Sequence, residues 1–205
     1  MKRLVILTSA LLLLSAAAAS AASFLLPEPD KTGGPSVLEA IANRSSAEQK
    51  PFEKEELSEK ELATILWAAT GKNREPKGWT VPMAMGREPY VKIYLLLKKG
   101  GYLYNWEKGG LIEQTDEKRL TSAAVTQEFA KTAPCVIVFV TSGLMNTEEF
   151  NYIATGAMSQ NIYLAAQALG LKARFLASYN KVKIESSLVL SPVAKITGVM
   201  VIGRQ

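Results

Sequence analysis

One long helical pattern dominates the second half of the sequence. It begins near Thr147, where Glu148 and Glu149 complement the positive end of a helix dipole, and it continues to Leu169, just before Gly170. Its apolar and small residues recur at helical spacing, which predicts a buried stripe. The stripe consists of Phe150, Ala154, Ala157, Asn161, Leu164, Ala165 and Ala168. Because small residues permit close packing, we expect this to be the central helix of the domain or of a dimer.

Apolar, β-branched runs predict four strands over residues 91–98, 136–141, 172–177 and 195–203. A hairpin is predicted over 102–113, with Gly109 and Gly110 in its turn. Further helices are predicted over 36–41, 58–70, 121–131 and 182–188, and Ser58 and Glu61 have capping-box spacing. This mixed order, without an internal repeat, predicts an α+β fold with a central mixed or antiparallel sheet flanked by helices.

The beginning of the chain is typical of a signal peptide. Lys2 and Arg3 precede an apolar run from Leu4 to Ala19, which is shorter than the ~20 residues that span a bilayer, and small residues follow it. We predict a signal peptide over 1–23, cleaved between Ala21 and Ser23, and a periplasmic or secreted protein. The alternative is an uncleaved anchor helix. A lipoprotein is excluded because no cysteine lies near the cleavage region.

The rest of the chain has the length of one domain. Residues 24–35 are rich in proline and glycine and are predicted to be extended, and residues 36–205 are predicted to form one domain with a sizeable core. Removal of Lys2 and Arg3 lowers the net charge from +5 to +3, with lysines and glutamates interspersed. This pattern does not favour nucleic acid as a partner.

The chain contains no histidine and one cysteine, Cys135. Serine and cysteine mechanisms that depend on histidine are therefore excluded, as are a histidine-ligated zinc, a thiolate cluster and an internal disulfide. Cys135 lies between Pro134 and an apolar run, where a free cysteine is usually a small buried hydrophobe, although a redox role is the alternative. A bound cofactor that supplies its own reactivity is favoured.

Four segments, in order, resemble the nitroreductase superfamily, in particular its single-domain members related to the SagB and thiazoline-oxidase dehydrogenases. These segments are LATILWAATGKNR at 62–74, TVPMAM at 80–85, GYLY at 101–104 and SQNIYLAAQALGL at 159–171. The resemblance covers nearly all of the chain after the leader. It implies a nitroreductase-like fold and a tightly interlocked or domain-swapped homodimer that binds FMN in two sites at the subunit interface, with contacts from both chains.

In such a protein the flavin performs the chemistry, while the side chains bind and orient it. The resemblance implies an oxidoreductase that moves two electrons through FMN to or from a small organic substrate such as a nitroaromatic, quinone, enone or peptide-derived ring. No side chain of this sequence is predicted to be catalytic.

The cofactor-binding residues implied by the resemblance begin at Arg44, Ser45 and Ser46, which would contact the FMN phosphate and ribityl chain. A planar guanidinium binds phosphate through two hydrogen bonds and stays charged at any relevant pH. The alternative for Arg44 is to cap the end of the preceding helix. Arg204 is a candidate second phosphate ligand, or else a surface charge at the end of the chain.

The isoalloxazine ring would lie along the next set of residues, which is Pro82, Met83, Ala84, Met85 and Gly86. Ala177 and Ser178 are also expected near the ring. Met83, Gly86 and Glu88 stand where relatives usually carry Ser, Asn and Gln, so three ring hydrogen bonds are expected to be lost. Asn161 is instead expected to bond backbone groups between packed helices.

Two alternatives to an enzyme remain open on sequence alone. One is a non-catalytic nitroreductase-fold binding domain with a degenerate flavin site, and the other is a carrier or sensor of a different planar ligand. Export adds a constraint, because NAD(P)H is a cytoplasmic reductant. An exported flavoenzyme would need a periplasmic or membrane electron donor, or would reduce dioxygen as an oxidase.

Overall fold

A computed structural model describes residues 23–142 and 147–205. The predicted signal peptide, apart from Ser23, lies outside the described residues. Among the described helices, none is long and apolar enough to cross a membrane. The strands are β1 (Ser23–Leu25), β2 (Val91–Leu97), β3 (Gly100–Asn105), β4 (Gly110–Thr115), β5 (Cys135–Thr141), β6 (Lys172–Phe175) and β7 (Lys195–Gly203). The helices are α1 (Val37–Asn43), α2 (Glu59–Thr70), α3 (Leu120–Ala124), α4 (Glu148–Ala168) and α5 (Lys181–Ser187).

The seven described strands form one antiparallel sheet in the order β1-β4-β3-β2-β5-β7-β6. Strand β5 is central, and its Cys135 lies between Leu97 of β2 and Ile202 of β7. All seven of its residues are buried, as expected for a strand covered on both faces. The predicted α+β fold, with a sheet flanked by helices and a long helix, is confirmed.

Alternate residues of the strands build two cores, one on each face of the sheet. Helices α2 and α4 cover the first face, where Leu66 and Ile162 pack against strand residues that include Phe139. Helices α3 and α5 cover the second face together with Phe52. Both α1 and α2 begin with the capping box of a serine and a glutamate, as Ser58 and Glu61 predicted for α2.

Helix α4 confirms the predicted long helix, but the predicted buried stripe is wrong in its phase. The fully buried face instead contains Asn151, Ala154, Thr155, Met158, Ser159, Ile162 and Ala166. Two of its polar side chains find partners inside: the Thr155 hydroxyl lies 2.7 Å from that of Thr197, and Ser159 donates to the Thr155 carbonyl at 2.7 Å. Most residues of the predicted stripe are therefore half-buried beside the core.

The continuous helix predicted over 121–131 is also wrong. Helix α3 ends at Ala124, and a separate 3-10 turn follows over Glu128–Thr132. Val125 leaves the helix because it is extended and pairs with Tyr179, while the Asn180 N–H donates to the Ala124 carbonyl at 2.8 Å. This pairing across the chain outweighs the local helical pattern.

Cys135 is fully buried, which confirms its interpretation as a small hydrophobe, and burial raises the pKa of its thiol to about 12. At pH 8 the thiolate fraction is then only about one in ten thousand. We expect the native protein to resist Ellman's reagent at pH 8 and to release one thiol per chain in 6 M guanidinium. Rapid stoichiometric labelling of the native protein would contradict the buried position.

Candidate functional site

The segment after α1 is fixed against the open edge of β6. Arg44 is the C-cap residue of α1, and its backbone N–H bonds to the Ala40 carbonyl at 2.9 Å. Ser46 then forms a parallel bridge with Ala173, and the Ala47 N–H donates to the Ala173 carbonyl at 2.8 Å. The side chains of residues 44–46 are therefore held beside the first residues of β6.

This arrangement gathers two cations and two hydroxyls, which we call the Arg44 group: Arg44, Ser45, Ser46 and Lys172. The Lys172 ammonium donates to Ser45 Oγ at 3.2 Å. The Arg44 guanidinium lies 5.3 Å from the centre of the Tyr163 ring rather than on the carbonyls that end α1. Within the described residues, neither cation forms an ion pair. Lysines elsewhere, such as Lys60, Lys183 and Lys195, do form ion pairs. A set of cations and hydroxyl donors without a carboxylate suits an anionic group such as phosphate.

The other end of the same sheet edge carries Ala177 and Ser178, both exposed. The Ser178 hydroxyl lies 2.9 Å from that of Thr126, which joins the loop after β6 to the loop after α3. Strand β6 ends at Phe175, so Ala177 and Ser178 lie in the loop just beyond it. The Arg44 group therefore lies beside the beginning of β6, and Ser178 lies beyond its end.

The Pro82–Gly86 segment lies on the other side of α4. Asn161 Nδ2 donates to the carbonyls of Ala68 at 2.9 Å and Thr80 at 3.2 Å, which confirms its predicted role in bonding backbone groups. Tyr163, two residues later, reaches the β6 edge instead. Residues two apart on a helix point about 200° apart, so α4 separates the two sets of candidate residues within one chain.

The Pro82–Gly86 segment has an unusual backbone. Met83 is buried in the first core, and the Ala84 N–H donates to the Tyr90 hydroxyl at 3.4 Å. Met85 has a left-handed φ of 56°, and Gly86 follows with a φ of 62°. Met85 is also 69% exposed. A non-glycine residue in this conformation is strained, and such strain concentrates at ligand-binding segments.

A groove of about 460 Å³ borders the same side of α4 as Pro82–Gly86. Residues 30–34 form one wall, and α2 and α4 form the rest. Its lining mixes apolar and polar side chains and includes Trp67, Ala68, Thr80, Asn161, Leu164 and Ala165. Several residues of the predicted α4 stripe therefore border this groove at the margin of the core.

Arg204 lies apart from the Arg44 group. Its guanidinium binds Glu61 at 2.6 Å and lies 3.6 Å from Glu55, on the face of the sheet that carries α2. Two residues near β6, Lys172 and Tyr163, join the candidate site although the sequence did not single them out. Their contacts with residues 45 and 46 span more than one hundred positions of sequence, so local patterns gave no signal for them.

Comparison with known proteins agrees with this architecture. A solved structure of a provisionally named nitroreductase from Ralstonia eutropha JMP134 superposes with a TM-score of 0.81 at 30% identity, covering 91% of this chain and 90% of that one. A provisionally named nitroreductase of Methanocaldococcus jannaschii is 32% identical over 131 residues, which are 56% of this chain and 66% of that protein.

A more distant structure carries a ligand. It is a provisionally named nitroreductase from Desulfovibrio desulfuricans in complex with FMN, with a TM-score of 0.58 at 21% identity, covering 84% of this chain and 87% of that one. At this identity the likeness concerns the fold. The model of the nitroreductase family matches residues 41–204, which is most of the sequence, and the chain therefore belongs to the nitroreductase family.

Proposed function

We propose that this chain is an FMN-dependent oxidoreductase that moves two electrons to or from a small organic substrate. The observation that carries the proposal is the Arg44 group, in which two cations without carboxylate partners lie beside two hydroxyls. Family membership and the FMN complex of a structural neighbour support the same ligand. When bound, FMN supplies the redox chemistry through its ring.

The residues present fit a phosphate at one end of the site. Arg44 offers a planar pair of N–H donors, Lys172 offers a point charge, and Ser45 and Ser46 offer hydroxyl donors. Ala177 and Ser178, just beyond the end of β6, would contact the ring. Arg204 is left out of the proposed phosphate group because its guanidinium already binds Glu61.

We propose that the functional unit is a homodimer. Within one chain α4 separates Pro82–Gly86 from the Arg44 group, so a ligand that contacts both sets would lie between two chains. Helices α1 and α4 pack against each other. Both carry apolar side chains that are largely exposed, and this exposure supports a protein interface. They include Leu38 at 78%, Val37 at 69% and Ile153 at 67% exposure.

A non-catalytic binding domain is the second candidate, and a specific observation favours it. Met83 turns its side chain into the core, Gly86 has no side chain, and Glu88 presents a carboxylate. Each lost neutral hydrogen bond costs about 0.5–1.5 kcal/mol of binding free energy, so the ring is expected to be held less tightly than in relatives with the full set. Retention of FMN then depends on how much affinity the Arg44 group provides.

We further propose that the protein is exported and takes electrons from a donor other than NAD(P)H. The basic start and apolar run at the beginning of the sequence support export. Cleavage after Ala21 or Ala22 would preserve β1, whose Ser23 pairs with Ile112. A periplasmic or membrane-bound electron donor, or dioxygen as acceptor, would complete the reaction.

One preparation tests these proposals. The full chain is expressed in a Gram-negative host and recovered from the periplasm, its intact mass gives the cleavage position, and mass spectrometry identifies the small molecules that it releases. We expect released FMN, or quenching of FMN fluorescence with micromolar affinity, in a dimer by light scattering. Reduction by dithionite and reoxidation by quinones, nitroaromatics or oxygen would then support the enzyme. Absence of binding at high micromolar FMN would favour the non-catalytic domain.

A further inference from the structure

Tyr163 makes three contacts, which join the segment after α1 to β6. Its ring lies under the Arg44 guanidinium, 5.3 Å from the ring centre. Its hydroxyl accepts a hydrogen bond from the Phe175 N–H at 2.7 Å and lies 3.4 Å from Ser46 Oγ. One side chain on α4 therefore touches the segment after α1 and the open edge of β6.

The hydrogen-bond inventory of a tyrosine permits an arrangement of protons that suits an anionic ligand. A phenol has one proton to donate, and its oxygen also accepts. Because the Phe175 N–H already donates to this oxygen, the Tyr163 proton remains free to point at Ser46 Oγ. In this arrangement, which is one of the two that the contact allows, Ser46 accepts the bond and its own proton is free to point at a ligand.

The ring has a second effect. A guanidinium that stacks on an aromatic face is held flat against it, and the attraction is worth about 0.5–1 kcal/mol at an exposed position. Arg44 is half-buried and has no ion pair among the described residues, so the ring limits the directions in which its N–H groups point.

We propose that Tyr163 is a positioning residue for a phosphate monoester. Its ring orients the Arg44 guanidinium, and its hydroxyl orients the Ser46 hydroxyl, so that both residues present protons to the phosphate. This inference rests on the proposed function, because the phosphate is that of FMN. Tyr163 itself is not expected to touch the ring or to take part in electron transfer.

The test compares FMN with riboflavin, which has the same ring and ribityl chain but lacks the phosphate. In Tyr163→Phe the ring remains and the hydroxyl is lost, so we expect the Kd for FMN to rise about 3- to 10-fold, the range for one neutral hydrogen bond. In Tyr163→Leu the stacking is lost as well, and a further 2- to 5-fold rise is expected. The Kd for riboflavin is expected to stay within about twofold of the wild type in both variants.

Tyr152→Phe is the matched control. It lies on the same helix, is 51% exposed, and its hydroxyl bonds to Glu148 at 3.3 Å. It should change neither Kd, and thermal unfolding followed by circular dichroism checks that each variant is folded.

The outcomes separate this inference from the proposed function. Equal rises for FMN and riboflavin in Tyr163→Phe, or no rise for FMN, would overturn the positioning role while leaving FMN binding intact. Wild-type protein that binds neither flavin would overturn the proposed function and this inference with it. A rise confined to FMN supports both.

Discussion

Replacing Phe139 with alanine is expected to lower the free energy of unfolding by about 3–5 kcal/mol. Phe139 is fully buried in the middle of β5, where it pairs with Ile93 of β2 and Gly198 of β7. Gly198 has no side chain that could fill the space, and strand pairing on both sides limits the collapse of the cavity. Since domains of this size are stable by only about 5–15 kcal/mol, the loss would be a large fraction of the total.

Equilibrium denaturation in urea, followed by circular dichroism, measures this loss as a lower midpoint. Val182→Ala provides the control, because Val182 is 76% exposed on α5 and its truncation should change stability by no more than about 0.5 kcal/mol. A loss below about 1 kcal/mol for Phe139→Ala would contradict the central, tightly packed position of β5.

The elements that local pattern determines were predicted closely. Strand β7 was predicted with the bounds it has, Lys195–Gly203, and β5 to within one residue. Both are continuous apolar runs rich in β-branched residues, which suit a strand covered on both faces whatever surrounds it. Helix α4 was predicted for a similar reason, since its start, its length and the glycine after it are local features.

Elements that depend on distant partners were not predicted. The predicted buried face of α4 was wrong because the buried Thr155 hydroxyl has its partner in Thr197, forty-two residues away. Helix α3 is short because Val125 pairs with Tyr179. The extended segment at the start was expected, but nothing local showed that Ser23–Leu25 pairs with β4 and extends the sheet.

The candidate site divides in the same way. Arg44, Ser45 and Ser46 were predicted because the family resemblance places them in a short motif. Lys172 was missed because it looks like an ordinary charge at the start of a strand, and its role depends on Ser45, 127 residues away. The structure also shows what sequence could not, that Arg204 has carboxylates beside it while Arg44 and Lys172 form no ion pair among the described residues.

Replacing Arg44 with alanine is expected to raise the Kd for FMN by about 10- to 150-fold. The range corresponds to 1.5–3 kcal/mol for hydrogen bonds to a charged group. Arg44→Lys keeps the charge but loses the planar pair of donors and the stacking on Tyr163, so an intermediate Kd is expected. Fluorescence quenching of FMN measures these values, and riboflavin should bind all three proteins equally.

Arg204→Ala is the informative comparison, because it removes the same side chain from a different environment. In the structure Arg204, whose side chain is 27% exposed, binds Glu61, so its loss leaves that largely buried carboxylate with only its hydrogen bonds from Ser58. The substitution should lower stability while leaving the Kd for FMN unchanged. If Arg204→Ala weakened FMN binding as much as Arg44→Ala did, Arg204 would have to leave Glu61 to reach the phosphate. If Arg44→Ala left the Kd unchanged, the Arg44 group would not be the phosphate site, and its two cations would need another anionic partner.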